Sequence, residues 1–374
     1  MNQEQQIPNS RKFRAYLVLF AVNACQTGIG LTLFERFVYR YAKQDGWISI
    51  ILAGLFTHIT MYVIIKTLQR YKDKDLYDIH RSLFGKWIGT TINGIFIIYC
   101  FYMILVVTVT YYEIIKTYLF PEIPNWFVSA MLLVLTIYTI VGGIRVVIGL
   151  CFFSVALFFP VLFVLYQVFP YLDLQNFFPM FEANPGQLFK AIYKLAFSLA
   201  GFEVIYFYYP YILDKEKAMR YGQIGIFITN SFFLYFMLLA IGLFSGAEMT
   251  KSVWPTLNMY KLVKFPFLEQ YQVIVLCIFM LGIIPIITLY MWSLTKGIKK
   301  HVPITQKKAL YIASTIVLIV SLLYKTRAEV EQMSTFFSKG VFFIVFVYPY
   351  VLFFASFIIE KIKQKKKKEK PAAL

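Results

Sequence analysis

Apolar residues run through this chain in blocks long enough to cross a hydrocarbon layer of about 30 Å, and that constraint excludes most soluble architectures. Ten blocks can be counted, at approximately 14–41, 46–68, 87–115, 126–143, 145–169, 188–211, 222–244, 271–296, 309–325 and 338–360. Within a bilayer the backbone finds no water, so each crossing must satisfy its own N–H and C=O groups, as an α-helix does. The blocks are continuous rather than alternating, which argues against a membrane β-barrel. Composition agrees, with 59% of the 374 residues hydrophobic and a mean hydropathy of +0.66. The pattern predicts an all-α polytopic membrane protein. It forms a single integral domain over residues 1–374, ending in a basic tail at 361–374.

The net charge of +18 could point to nucleic acid. However, the lysines and arginines lie mainly in connections between apolar blocks, where they act as orientation signals. About two thirds of the 37 fall on the side that carries both termini, which places both termini in the cytoplasm. The tail, Lys361 to Lys370, suits an anionic lipid surface. The expected partner is therefore the lipid bilayer and not nucleic acid. A basic, polar N-terminus leads straight into a long block without a small-residue cleavage site, so no cleavable signal is expected. Cys25, Cys100, Cys151 and Cys277 are scattered, and His58, His80 and His301 stand alone. Structural thiols and solvated histidines are expected, with no metal and no cofactor. No nucleophile–base pair, metal set or phosphate loop is evident, so an enzyme is not expected.

Two blocks carry residues that a plain span would avoid. The first contains Ala24-Cys-Gln-Thr-Gly-Ile-Gly30, read as a break that splits the helix, with the second half starting near Gly30. Close helix packing at Gly28 and Gly30 is the simpler alternative. The sixth contains Leu195-Ala-Phe-Ser-Leu-Ala-Gly-Phe-Glu-Val-Ile-Tyr206, with small residues around the carboxylate Glu203. Each break lies in the first span of a five-span half, and five being odd, the halves have opposite topology. That is the pattern of inverted-repeat transporters, with repeats at about 14–170 and 188–362 and broken helices 1 and 6 in a LeuT-like five-plus-five arrangement. It rests on breaks and parity, since identity between the halves is not detectable.

Half-helix N-termini suit an anionic group and freed carbonyls suit an ammonium or a cation, so a zwitterionic amino acid matches both. The candidate pocket comprises Thr27, Gly28 and Gly30 from span one, with Ser198, Leu199, Gly201 and Phe202 from span six. Tyr99 and Met103, which share a face of span three, and Thr288 of span eight are added. A buried acid should face a cavity or a partner, which makes Glu203 a candidate for an ion path or coupling role. Glu113 either lines such a path or pairs with a nearby cation, and Glu35 is expected to pair with Arg36, Arg40 or Lys116. Pro160, Pro285 and Pro349 fall inside spans and kink them, with Gly282 one turn before Pro285. The outer connection Gly246 to Glu269, with Trp254, reads as a lid, a docking surface or an interfacial loop.

Thr27-Gly28-Ile29-Gly30, then Asp45-Gly46-Trp47-Ile48-Ser49 at the start of span two, and Gly201-Phe202-Glu203 resemble the spore germinant receptor B-subunit family. This family belongs to the amino acid–polyamine–organocation transporter superfamily. The resemblance covers nearly the whole chain. It implies an integral subunit of a receptor in the inner membrane of bacterial endospores. Such a subunit binds a small nutrient germinant such as an amino acid and works with an A subunit and a lipoprotein C subunit. The alternative reading is a proton- or Na⁺-coupled amino-acid permease, with Glu203 or Glu113 as the coupling acid.

Overall fold

The computed structural model describes residues 7–266 and 270–368. Part of the basic tail (369–374) and the last residues of the 246–269 connection (267–269) lie outside the described residues. Helices account for most of it, and an isolated parallel bridge joins Phe13 and Ile212. By length and composition, six helical stretches can cross a membrane: 30–71, 76–118, 144–171, 215–243, 271–301 and 327–359. The remaining apolar blocks form shorter helices. These are α1 (Leu17–Gln26), α5 (Asn125–Val141), α7 (Pro185–Leu199) and α13 (Gln306–Ser321). Large apolar side chains such as Leu55, Ile59, Tyr138, Phe163, Ile319 and Phe354 are exposed on the outer faces of the helices. Such a surface is compatible with lipid and not with water, and the chain is an integral membrane protein.

Helix α1 stops where the Thr27 hydroxyl bonds back to the Asn23 carbonyl at 2.8 Å and Gly28 turns off the helical path (φ −99°, ψ −142°). A short 3-10 turn, Ile29–Thr32, leads into α2 (Phe34–Ala42), whose N-terminus has no side-chain cap. After α2 the chain turns into α3 (Gly46–Tyr71). The long α4 (Leu76–Tyr118) bends at Gly85, whose φ of +81° only glycine adopts readily. The sequence pattern counts 66–86 as a connection, whereas residues 76–84 form a helix of their own.

Between α4 and α7 run α5 and α6 (Ile144–Val164), the latter containing Pro160. Helix α7 opens with an Asn184–Gln187 capping box and ends at Leu199. Gly201 (φ +125°), a 3-10 turn and the four-residue α8 (Ile205–Tyr208) follow. Helices α9 (Ala218–Leu243), α10 (Gly246–Lys251), α11 (Pro255–Met259) and α12 (Tyr271–His301) come next. After α13, α14 (Arg327–Phe342) passes through a π-helical turn, Phe343–Val347, into α15 (Tyr348–Lys368).

The two interrupted stretches lie against each other in opposite directions. Phe13 pairs with Ile212, a Cβ on Gly201 would lie 2.6 Å from the Cys25 carbonyl oxygen, and a Cβ on Gly30 would lie 2.6 Å from the Ser198 Cα. As one number rises the other falls, so both interruptions sit at one depth, with α1 also packed on α6, α9 and α12.

Gly30→Ala must therefore push backbone apart, at an expected cost of about 1–3 kcal/mol. Gly94→Ala in α4, where a Cβ meets nothing within 4 Å, is expected to be neutral or slightly stabilising. Thermal unfolding of the two purified variants checks the contrast.

Candidate functional site

The junction of the interruptions is closed by polar bonds between elements far apart in sequence. Gln26 Nε2 donates to the Leu199 carbonyl at 2.6 Å, satisfying the free end of α7 with a side chain from the end of α1. Glu203 Oε2 accepts from the Gly201 N–H at 2.7 Å. Its Oε1 accepts from the Tyr99 hydroxyl at 2.6 Å and from the Tyr290 hydroxyl at 2.5 Å. One buried carboxyl group thus joins α4, α12 and the turn after α7. Charge-assisted bonds of this kind are among the stronger ones available in a low-dielectric interior.

Gly28 and Thr27 lie against α12 beside this junction, whereas Met103 and Thr288 show no contact with it among the described residues. Gly28 faces the Ile286 side chain, and Gly282 of α12 lies opposite the Thr27 carbonyl. The hydroxyls of Thr27 and Thr288 bond carbonyls of their own helices, Asn23 and Ile284. Phe202 packs on Phe346 with ring centroids 5.7 Å apart, and Met103 is buried. Gln26 and Tyr290 escape the sequence reading. Gln26 was legible as a polar residue beside the glycines, but nothing marks Tyr290 among the many tyrosines.

A cavity of about 110 Å³ opens above the junction, between α2, α4, α7, α14 and the segment before α11. One water needs roughly 10–15 Å³. Of the predicted site residues, Ser198 and Glu113 line it, joined by Arg36, Trp254, Arg327 and Glu331. Arg36 faces Glu331 at 3.7 Å. Lys116 lies over the Tyr112 ring, and among the described residues Glu113 has no ion-pair partner.

Glu35 does not pair with a cation as expected. It is fully buried and bonds the Thr256 hydroxyl at the start of α11, because α2 turns this face inward beneath the 246–266 connection. Part of that connection packs inward, with Trp254, Thr256 and Leu257 buried, while Gly246, Glu248 and Lys261 are exposed.

Asp45 explains the Asp-Gly-Trp element. Its two carboxylate oxygens accept from the N–H groups of Phe181 and Ala183, each at 2.8 Å. This holds Phe181 at a φ of +64°. Trp47 packs edge-on against the Phe181 ring.

The opposite end of α4 is shut by ion pairs. Asp75 receives Lys296 at 2.8 Å and Lys300 at 2.7 Å, and Lys300 also reaches Asp78 at 2.5 Å. Burial alone would raise the Asp75 carboxyl, but the two ammonium groups outweigh it and hold it well below the usual carboxylate range. Beside this cluster His80 is fully buried, not solvated as expected. Its Nδ1 meets Asn93 at 2.7 Å and its Nε2 meets the Tyr348 hydroxyl at 2.5 Å. The amphipathic helix of residues 76–84 turns it inward. Among the described residues no cluster could hold a metal ion.

This all-helical fold, with its two interrupted stretches side by side, is shared by solved structures of membrane proteins. A substrate-bound, outward-open Na⁺-coupled sialic acid symporter aligns with a TM-score of 0.63 at 12% identity, over 93% of this chain and 78% of that one. MhsT in complex with L-phenylalanine aligns with a TM-score of 0.58 at 13% identity, over 92% and 95%. Residues 12–330 match the spore germination protein family, and the chain belongs to that family. It is 29% identical to spore germination protein GerQB of Bacillus cereus, over 93% of this chain and 96% of the relative. It is also 23% identical to spore germination protein A2 of Bacillus subtilis (strain 168), over 90% and 93%.

Glu203→Gln replaces an all-acceptor group with an amide facing three donors, at an expected cost of about 1–3 kcal/mol in thermal unfolding. Asp75→Asn removes the counter-charge of buried Lys296, with an expected loss of about 3–5 kcal/mol at pH 7. The folded-state pKa of Asp75 lies below the ~3.9 of a free aspartate. Its stabilisation is therefore present above about pH 4 and lost as pH falls further. The variant should accordingly show a flatter acid limb in melting curves taken against pH.

Proposed function

We propose that this protein is the membrane-embedded, nutrient-sensing subunit of a spore germination receptor. Membership of the germination family carries the reading, and the closed junction of the two interruptions supports it. Ten helices cross the membrane in two inverted sets of five, with interrupted helices 1 and 6, both termini cytoplasmic, and the chain seated in the inner membrane of the spore. The germinant is an amino-acid-like molecule bound at the interruptions. Thr27, Gly28, Gly30, Ser198, Leu199, Gly201 and Phe202 line that site, with Tyr99, Met103 and Thr288 from the facing helices. The uncapped start of α2 favours a carboxylate there and free carbonyls favour an ammonium. Binding biases the helices toward one of two arrangements by its differential affinity for them, and receptor A and C subunits read the change.

The fold shared with a Na⁺-coupled symporter favours one second reading, an amino-acid permease coupled to protons or Na⁺ through Glu203 or Glu113. Two measurements separate them. Under the receptor reading, cells expressing this chain alone take up no radiolabelled amino acid saturably, and spores lacking the gene lose a nutrient germination response. Saturable uptake abolished by Gly201→Ala at unchanged protein level would establish the permease instead.

A further inference from the structure

The cavity above the junction carries polar groups that the folded chain leaves unmet. The Glu113 side chain is buried, with the residue 5% exposed, and its Oε1 has no hydrogen-bond partner. Thr110 Oγ1, one turn earlier on α4, and Arg36 Nε are also buried without partners. All three residues line this one cavity. Buried polar atoms in folded proteins are paired in roughly nine cases of ten, so three unmet atoms from the α2 and α4 sides of one cavity point to a polar guest. Charge sharpens the description. Arg36 is shared with Glu331 across 3.7 Å. Arg327 lies over the Trp254 ring at the mouth, and among the described residues it makes no ion pair. An acid and a guanidinium thus line the same space without meeting each other. Ile29, Leu33, Phe37 and Val330 supply an apolar wall beside them.

We propose that this cavity is a recognition site for a small zwitterion of the free α-amino acid class, distinct from the site at the interruptions. Glu113 takes the ammonium, while Arg327 and the free face of Arg36 take the carboxylate, with the Thr110 hydroxyl as a further partner. The side chain lies on the apolar wall. Arg36 already faces Glu331, and Lys194 adds a further cation to the lining. A simple anion would still leave Glu113 unmet and an amine would leave Arg327 unmet, so a molecule with both charges fits the set. Ser198 belongs to both the cavity and the junction, so the cavity lies directly outside the inner site. The inference rests on the reading of this chain as a sensor of amino-acid-like nutrients.

The test is equilibrium binding of a mixture of radiolabelled protein amino acids to the purified full-length chain in lipid nanodiscs. Glu113→Gln and Arg327→Gln are each expected to reduce bound label about tenfold or more, as loss of a charge-assisted bond implies. Glu113→Asp should recover part of it. Unlabelled decarboxylated or deaminated analogues should fail to displace the label that the parent amino acids displace. Melting curves identify any variant that has not folded, and Glu113→Asp with Arg327→Gln then decide the matter. Wild-type binding that survives both Glu113→Gln and Arg327→Gln but is lost in Gly201→Ala would overturn this site and leave the sensor reading standing. Displacement by the amine or the acid alone would overturn the zwitterion assignment. Absence of binding by the wild-type chain would overturn the sensor reading and this inference with it.

Discussion

Backbone lying on backbone, Gly30 against Ser198 and Gly201 against Cys25, is the contact on which the rest of this protein depends. An interruption in a membrane helix frees N–H and C=O groups that lipid cannot satisfy, at several kcal/mol each. Two interruptions at one depth meet part of that demand together. Gln26 serves the Leu199 carbonyl, and Glu203 serves the Gly201 N–H while collecting hydroxyls from α4 and α12. Side chains on either glycine would hold the helices apart and leave those bonds unmade. The glycines therefore allow the approach, and the glutamine and glutamate make it stable.

Much of this was legible in the sequence because its cause is local. Glycines and a carboxylate within apolar blocks announce irregular backbone, and the blocks themselves announce helices. What could not be read depends on which distant element arrives. Tyr290 matters only because α12 brings it to Glu203. Glu113 could be read as lining a path or pairing with a cation, but nothing in the sequence joins it to Arg327, which shares its cavity because α14 packs on α4. Glu35 and His80 were misplaced for a related reason. Each sits on a short helix whose inward face is set by tertiary packing, on α11 for Glu35 and on Tyr348 for His80.

The two ends of the bundle are built on different principles. Where α4 begins, Asp75, Asp78, Lys296 and Lys300 neutralise one another, and Lys296 also donates to the Phe207 carbonyl and lies over the Tyr211 and Trp292 rings. Buried charges held this way are costly to separate. At the far end Arg36 and Glu331 pair across 3.7 Å, while Glu113 and Arg327 line the same cavity without an ion pair among the described residues. The junction lies between an end tied by ion pairs and an end that holds a cavity.

The π-helical turn at Phe343–Val347 links these ends. Ahead of it, Ser334, Thr335 and Ser338 border the cavity. Just beyond it, Tyr348 bonds His80 and Tyr350 bonds Thr60. A π turn holds one residue more than an α turn, and one residue corresponds to about 100° of rotation and 1.5 Å of rise. Pro349, which lacks an N–H, follows it after Tyr348. One continuous helical path therefore carries both the cavity border and the tyrosines that hold His80 and Thr60, and the extra residue between them offsets by about 100° the faces that the two halves present.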